Sequence, residues 1–170
     1  MHDFSLPDHA RLWLFAAAAD LPDRALRDVQ AFLPTWASHG RPVTAEAAVL
    51  SPRVLAVAAL ISPEEFNAGV SGCGIDAMTH AVEHAFAEAG VRQPGALAVT
   101  FHDGSAWREV PRAQFRARAR AGEVNGDTRV LDLTPTTLGA LRRAGGVERR
   151  AAEAWHGRAF GLADEGVPAA

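Results

Sequence analysis

Two apolar runs, 43–50 and 53–61, are separated only by Ser51-Pro52. A break that short turns one strand back on the other, so the pair predicts an antiparallel β-hairpin. The segments on either side carry a different period. Leu26, Val29, Phe32 or Leu33, and Trp36 recur every three or four residues, as do Ile75, Met78, Val82 and Phe86. Both patterns predict amphipathic helices, over 21–38 and 74–89. Pro22 stands where a first-turn proline is tolerated, and Pro34 is expected to distort the end of the first helix. Apolar runs at 10–18 and 97–101 predict two flanking strands.

The order over the first hundred residues is then β-α-β-β-α-β. It predicts an α+β fold with a ferredoxin-like, split βαβ core. Short strands at 107–110 and 129–133, and helices at 111–121, 138–143 and 148–159, are expected to form a C-terminal strand and helix extension. The chain has 170 residues, which suggests a single domain over 1–160, with a disordered tail over 161–170.

Composition narrows the function classes. At 48% hydrophobic and 22% charged the chain reads as globular, and at this size a core needs neither metal nor disulfide. The net charge of −3 argues against nucleic acid as a partner. No stretch approaches the ~20 apolar residues of a spanning helix, which argues against a membrane partner. The start, MHDFSLPDHARLW, lacks the basic region of a secretory signal. With Cys73 the one cysteine, no internal disulfide can form, and a reducing cytoplasmic setting fits. All 17 basic residues are arginine. Without lysine there is no P-loop to hold nucleotide phosphates and no lysine Schiff base.

Connectivity alone points to a candidate site. If the first strand runs up, the first helix and third strand run down. The segments 5–8, 39–40 and 71–76 then meet at one end of the sheet. The last of these, Ser71-Gly72-Cys73-Gly74-Ile75-Asp76, puts Cys73 at a helix start between glycines. The partial positive charge there favours a thiolate, and the amides favour an anion. At about 100° per residue, Cys73, Asp76, His80 and His84 form one stripe opposite the apolar face.

Three readings follow. In the first, Cys73 is a nucleophile for acyl or related group transfer or hydrolysis. His39 or His80 then serves as base, Asp76 or Asp8 orients the histidine, and Arg11 holds an anionic substrate group. In the second, Cys73, His80 and His84 bind a metal; two histidines at that spacing are a weak signal, and no metal or other cofactor is assigned. In the third, the stripe is a solvated face. A non-catalytic alternative uses the same end, with Arg11, Asp8, Ser71, Gly72 and Gly74 holding a small anion or a protein partner's carboxylate.

The segments SLPDHARLW (5–13), WASHGRP (36–42) and SGCGID-x-x-x-H (71–80) resemble, in that order, a family of small bacterial proteins of about this length. Its members are often labelled "ABC transporter ATPase". The resemblance covers most of the chain, including Ala154-Trp155-His156. It implies a role for Asp8, Arg11, Trp36, His39, Gly40, Ser71, Gly72, Cys73, Asp76 and His80. The pattern has a serine where this chain has Gly74, and it does not include His84. The ATPase label does not suit a chain without a P-loop, and the resemblance implies residues rather than a reaction. A second resemblance runs from Asp103 to Val130. Its Gly-x5-Val-Pro, Phe115, Ala-Gly-Glu-Val and Asp-Thr-Arg-Val cadence is similar to that of GYF-type peptide-binding modules, without their aromatic signature.

Arg112, Arg116 and Arg120 share one helical stripe at i, i+4 and i+8, with Arg118 nearby. The stripe reads either as a phosphate-binding or RNA-binding patch or as a solvated face. The net acidity of the chain favours the second. Trp13 and Trp36 are expected in the core, and Trp107 and Trp155 partly exposed.

Overall fold

The computed structural model describes residues 4–60 and 70–163. The expected loop around Pro63, Asn67 and Gly69 and most of the expected tail fall outside them. The chain groups into two compact units: residues 1–93 with 133–144, and residues 94–132 with 145–170. Helices and antiparallel sheets mix in the chain, so the architecture is α+β.

In the first unit, β1 (Arg11–Ala16) leads into α1 (Asp23–Phe32). Pro22 caps that helix and Asp23 complements the dipole of its first turn. The expected helix over 21–38 stops early. A 3-10 turn occupies Leu33–Thr35, and β2 (Ala37–Ser38) follows. Pro34 explains the break, because it has no N–H for the carbonyl four residues back and its ring collides with that carbonyl. β2 pairs with β3 (Arg41–Pro42) in a small hairpin of its own.

The hairpin across Ser51-Pro52 is present as β4 (Thr44–Ser51) against β5 (Val54–Leu60). β5 is also antiparallel to β1, giving the order β1-β5-β4. Leu55, Val57 and Ala59 are buried in one cluster with Val29 of α1 and with Met78, Val82 and Phe86 of α2 (Gly72–Glu88). Arg24 ties α1 to α2 through Glu88 at 2.9 Å.

The expected fourth strand of that sheet lies elsewhere. The 97–101 run, expected as the last strand of the β-α-β-β-α-β order, forms β6 (Ala98–His102), which pairs with β7 (Trp107–Pro111) and with β8 (Arg129–Leu131). The turn signal decides this. Asp103 Oδ1 accepts from the backbone N–H groups of Ser105 and Ala106, at 2.9 and 2.8 Å, and Gly104 takes φ +100. A local hairpin closes at less entropic cost than a return to β1. The free edge of β1 is instead met by residues 136–138. Leu12 N–H donates to Thr136 and Leu138 N–H to Ala10, with an antiparallel bridge between Arg11 and Thr137.

The second unit carries the order β7-β6-β8-β9, with β9 at Glu148–Arg150. A helix was expected over 148–159; only Trp155–Phe160 is one, here α5, after a 3-10 turn at Ala151–Glu153. Gly145 and Gly146, both at positive φ, reverse the chain, and β8 offers 148–150 a ladder that outweighs helix propensity. α4 (Leu138–Ala144) belongs to the first unit. α3 (Arg112–Arg120) contributes Phe115, which is fully buried against Phe101 and Phe160 with ring centroids 5.3 and 4.8 Å away.

His156 is 1% exposed and stacks on Trp155 at 4.0 Å, and its Nδ1 has no hydrogen-bond partner among the described residues. Burial pushes its pKa down to about 4; the buried Asp132 carboxylate opposes the shift and Arg112 adds to it. The unfolded chain therefore takes up this proton near pH 6.5, while the native state resists until about pH 4. Stability should fall as pH is lowered through that window, by up to about 3 kcal/mol from this group at ~1.4 kcal/mol per pKa unit. Urea unfolding at pH 7 and pH 4.5 should show the loss, and His156→Gln should flatten it.

Candidate functional site

Each motif segment has a local reason for its shape. His39-Gly40 joins β2 to β3 as a two-residue turn, both at positive φ, 51° and 75°. That is the type I′ geometry whose twist suits a hairpin. Histidine is among the side chains that tolerate this region, and Gly40 has open space around it.

Ser71 caps α2, its Oγ accepting from the Gly74 amide at 3.2 Å. The Ser71 amide donates to Ser38 Oγ, and the two hydroxyls are 2.9 Å apart. Trp36, 2% exposed, donates its indole N–H to the Gly74 carbonyl at 2.8 Å. It is steadied edge-on by Trp13 with centroids 6.0 Å apart. Three bonds, from Trp36 and Ser38, thus fix the β2–β3 hairpin against the start of α2. The strand that leads into the 39–40 turn therefore meets the 71–76 segment through Ser38. Trp36, expected in the core and also part of the resemblance, and Ser38, which the sequence did not single out, are working parts of that junction.

The third segment is held differently. Arg142 of α4 donates to the carbonyls of Phe4 and Leu6 at 2.8 and 3.0 Å and pairs with the Asp8 carboxylate. Gly139 N–H donates to the Asp8 carbonyl, and a Cβ on Gly139 would meet Asp8 at 3.0 Å. The Asp8 carboxylate is engaged in this clamp. Neither Gly139 nor Arg142 was singled out from the sequence. The only trace of them is a glycine three residues before an arginine on one short helix.

Arg11 lies at the same end of the sheet as β2 and the start of α2. It stands opposite Ala59, which in turn stands opposite Ala45. Its guanidinium sits over the Trp13 ring, 5.2 Å from the centroid.

Cys73, Asp76, His80 and His84 are all exposed on α2, as the 100° spacing required. Among the described residues, no hydrogen bond joins Cys73 to His39, His80 or Asp76. No group of three or more His, Cys, Asp or Glu side chains there could hold a metal. The helix geometry leaves the amides of Gly72 and Cys73 without an i−4 carbonyl inside α2, and a Cβ on Gly72 would meet nothing within 4 Å. A groove of about 610 Å³ in the same unit, lined by Phe4, Leu33, Val43 and β4, contains none of these residues. No helix among the described residues is long and apolar enough to cross a membrane.

Set against known proteins, the chain matches no family model, no curated protein and no solved structure.

Gly74 is the tightest point of the junction. A Cβ there would lie 3.0 Å from Val70 Cγ1 and 3.4 Å from Ser38. Gly74→Ser should cost about 1–3 kcal/mol through overpacking. Adding Val70→Ala should recover part of that, as read by thermal unfolding. Trp36→Phe removes the indole donor and leaves the Gly74 carbonyl with its intrahelical partner alone, and should cost about 0.5–1.5 kcal/mol.

Proposed function

We propose that the first unit is a non-catalytic binding module that takes a small anion, or a partner's carboxylate, at the start of α2. One observation carries the reading. The Ser71 cap consumes only the Gly74 amide and the Ile75 amide bonds the Ser71 carbonyl, at 3.2 and 2.9 Å. Among the described residues the amides of Gly72 and Cys73 have no partner, and they are left as donors beside an open glycine. His39, on the hairpin bonded to that helix start, supplies a second polar edge, and His80 lies two turns along.

The second reading is cysteine-dependent group transfer with His39 or His80 as base. The exposure of Cys73 favours it; the missing link between sulfur and imidazole weighs against it. The resemblance to the small bacterial family suits either reading and lends nothing to ATP hydrolysis. The lone cysteine supports a cytoplasmic setting. We also read the first unit as ferredoxin-like, with residues 136–138 in the fourth strand position; the β1-β5-β4 order supports this.

Alkylation of Cys73 by iodoacetamide at neutral pH tests the choice, because it labels one site. The binding reading expects 20 mM phosphate to slow labelling at least twofold relative to chloride at equal ionic strength. It also expects His39→Ala and His80→Ala to change the rate by less than twofold. A tenfold fall in either variant would instead establish a paired nucleophile.

A further inference from the structure

The second unit contains a helix whose surface works against its own stability. α3 reads RAQFRARAR and has no acidic residue. Arg112 opens it, where the dipole disfavours a cation. Arg112, Arg116 and Arg120 follow at i, i+4 and i+8, where like charges repel. A solvated helix face ordinarily mixes signs. Arg118 does so, pairing with Glu123 at 2.9 Å. The other three are exposed, and among the described residues no carboxylate pairs with them.

Two of them are held by aromatic rings instead. Arg112 lies over Trp155, 4.8 Å from the ring centroid, and Arg116 over Phe160 at 5.7 Å. These contacts fix the guanidinium groups while their N–H edges stay in solvent. A local rule broken in this way, on a stripe pre-positioned by its neighbours, marks a surface kept for a partner.

We infer that the Arg112, Arg116 and Arg120 face of α3 docks an acidic, extended segment of another protein. The spacing fits: residues four apart on a helix rise ~6 Å, and alternate residues of an extended chain are ~6.6 Å apart. Each guanidinium fork matches a carboxylate. Nucleic acid fits less well. The Trp155 ring has Arg112 over it and His156 stacked at 4.0 Å, and Phe160 is covered by Arg116, so no open ring face awaits a base. This surface belongs to the second unit and the start of α2 to the first, so either assignment can fail alone.

The test is fluorescence anisotropy with a fluorescein-labelled peptide of alternating glutamate and serine in 50 mM salt. Saturable binding should weaken at least tenfold in the triple variant Arg112→Gln/Arg116→Gln/Arg120→Gln. It should weaken at least threefold in Arg120→Glu, a residue without a ring contact and so safe for folding. Arg27→Gln should leave it unchanged. No binding to the native protein, or equal binding by Arg120→Glu, overturns the assignment. So does tighter binding of an oligouridylate of matched charge, which would make the face a nucleic-acid surface.

Discussion

The first unit depends on one buried hydrogen bond, from the Trp36 indole to the Gly74 carbonyl. A carbonyl in the first turn of a helix already accepts from within it, so the indole adds a second partner from a different element. The donor is immobile because the ring is buried and braced by Trp13. With the Ser38–Ser71 pair beside it, the bond sets where α2 begins and which way its first turn faces. Burial of Met78, Val82 and Phe86 then sets how the rest of α2 lies. Losing the indole would remove the buried directed bond and leave the start of α2 held by the Ser38–Ser71 pair and apolar packing.

This reframes the motif residues. Trp36, Ser38, Ser71, Gly74 and Gly40 are all accounted for by folding: a buried donor, two hydroxyls, a cap, a close approach and a turn. Cys73, Asp76 and His80 are not, since they face solvent and bond to nothing that α2 needs. The sequence motif is thus two things interleaved along one helix start, a scaffold and an exposed stripe. Only the stripe calls for a functional explanation.

Periodicity carried the reading of the fold as far as local pairing goes. The β4–β5 hairpin, α1, α2 and α3 were legible because each has a clean repeat and a nearby partner. Three features were not. Pro34 marked a distortion, but the change into β2 needed Arg41-Pro42 as a strand partner, and two residues have no period. The helix expected over 148–159 lost Glu148–Arg150 to β8, a pairing decided by a strand some twenty residues earlier. The fourth strand was assigned by analogy of element order, whereas Asp103 and Gly104 had already committed 97–101 to a hairpin. The site was legible in the same measure. Helix geometry put Cys73, Asp76 and His80 on one face, but nothing local foretold that Arg142 would claim Asp8.

The return of residues 133–144 to the first unit has a consequence for synthesis. A ribosome that has released residue 93 has made both helices and all three strands of the β1-β5-β4 sheet, yet the edge of β1 has no neighbour and Asp8 has no Arg142. At ~5–20 residues per second, the missing stretch emerges only seconds later. During that interval the nascent sheet presents an open strand, and the second unit's first hairpin is being made in between. A gene fragment cut at the apparent boundary after residue 93 would hold the chain permanently in that state. The smallest independent piece of this protein is therefore not a contiguous one.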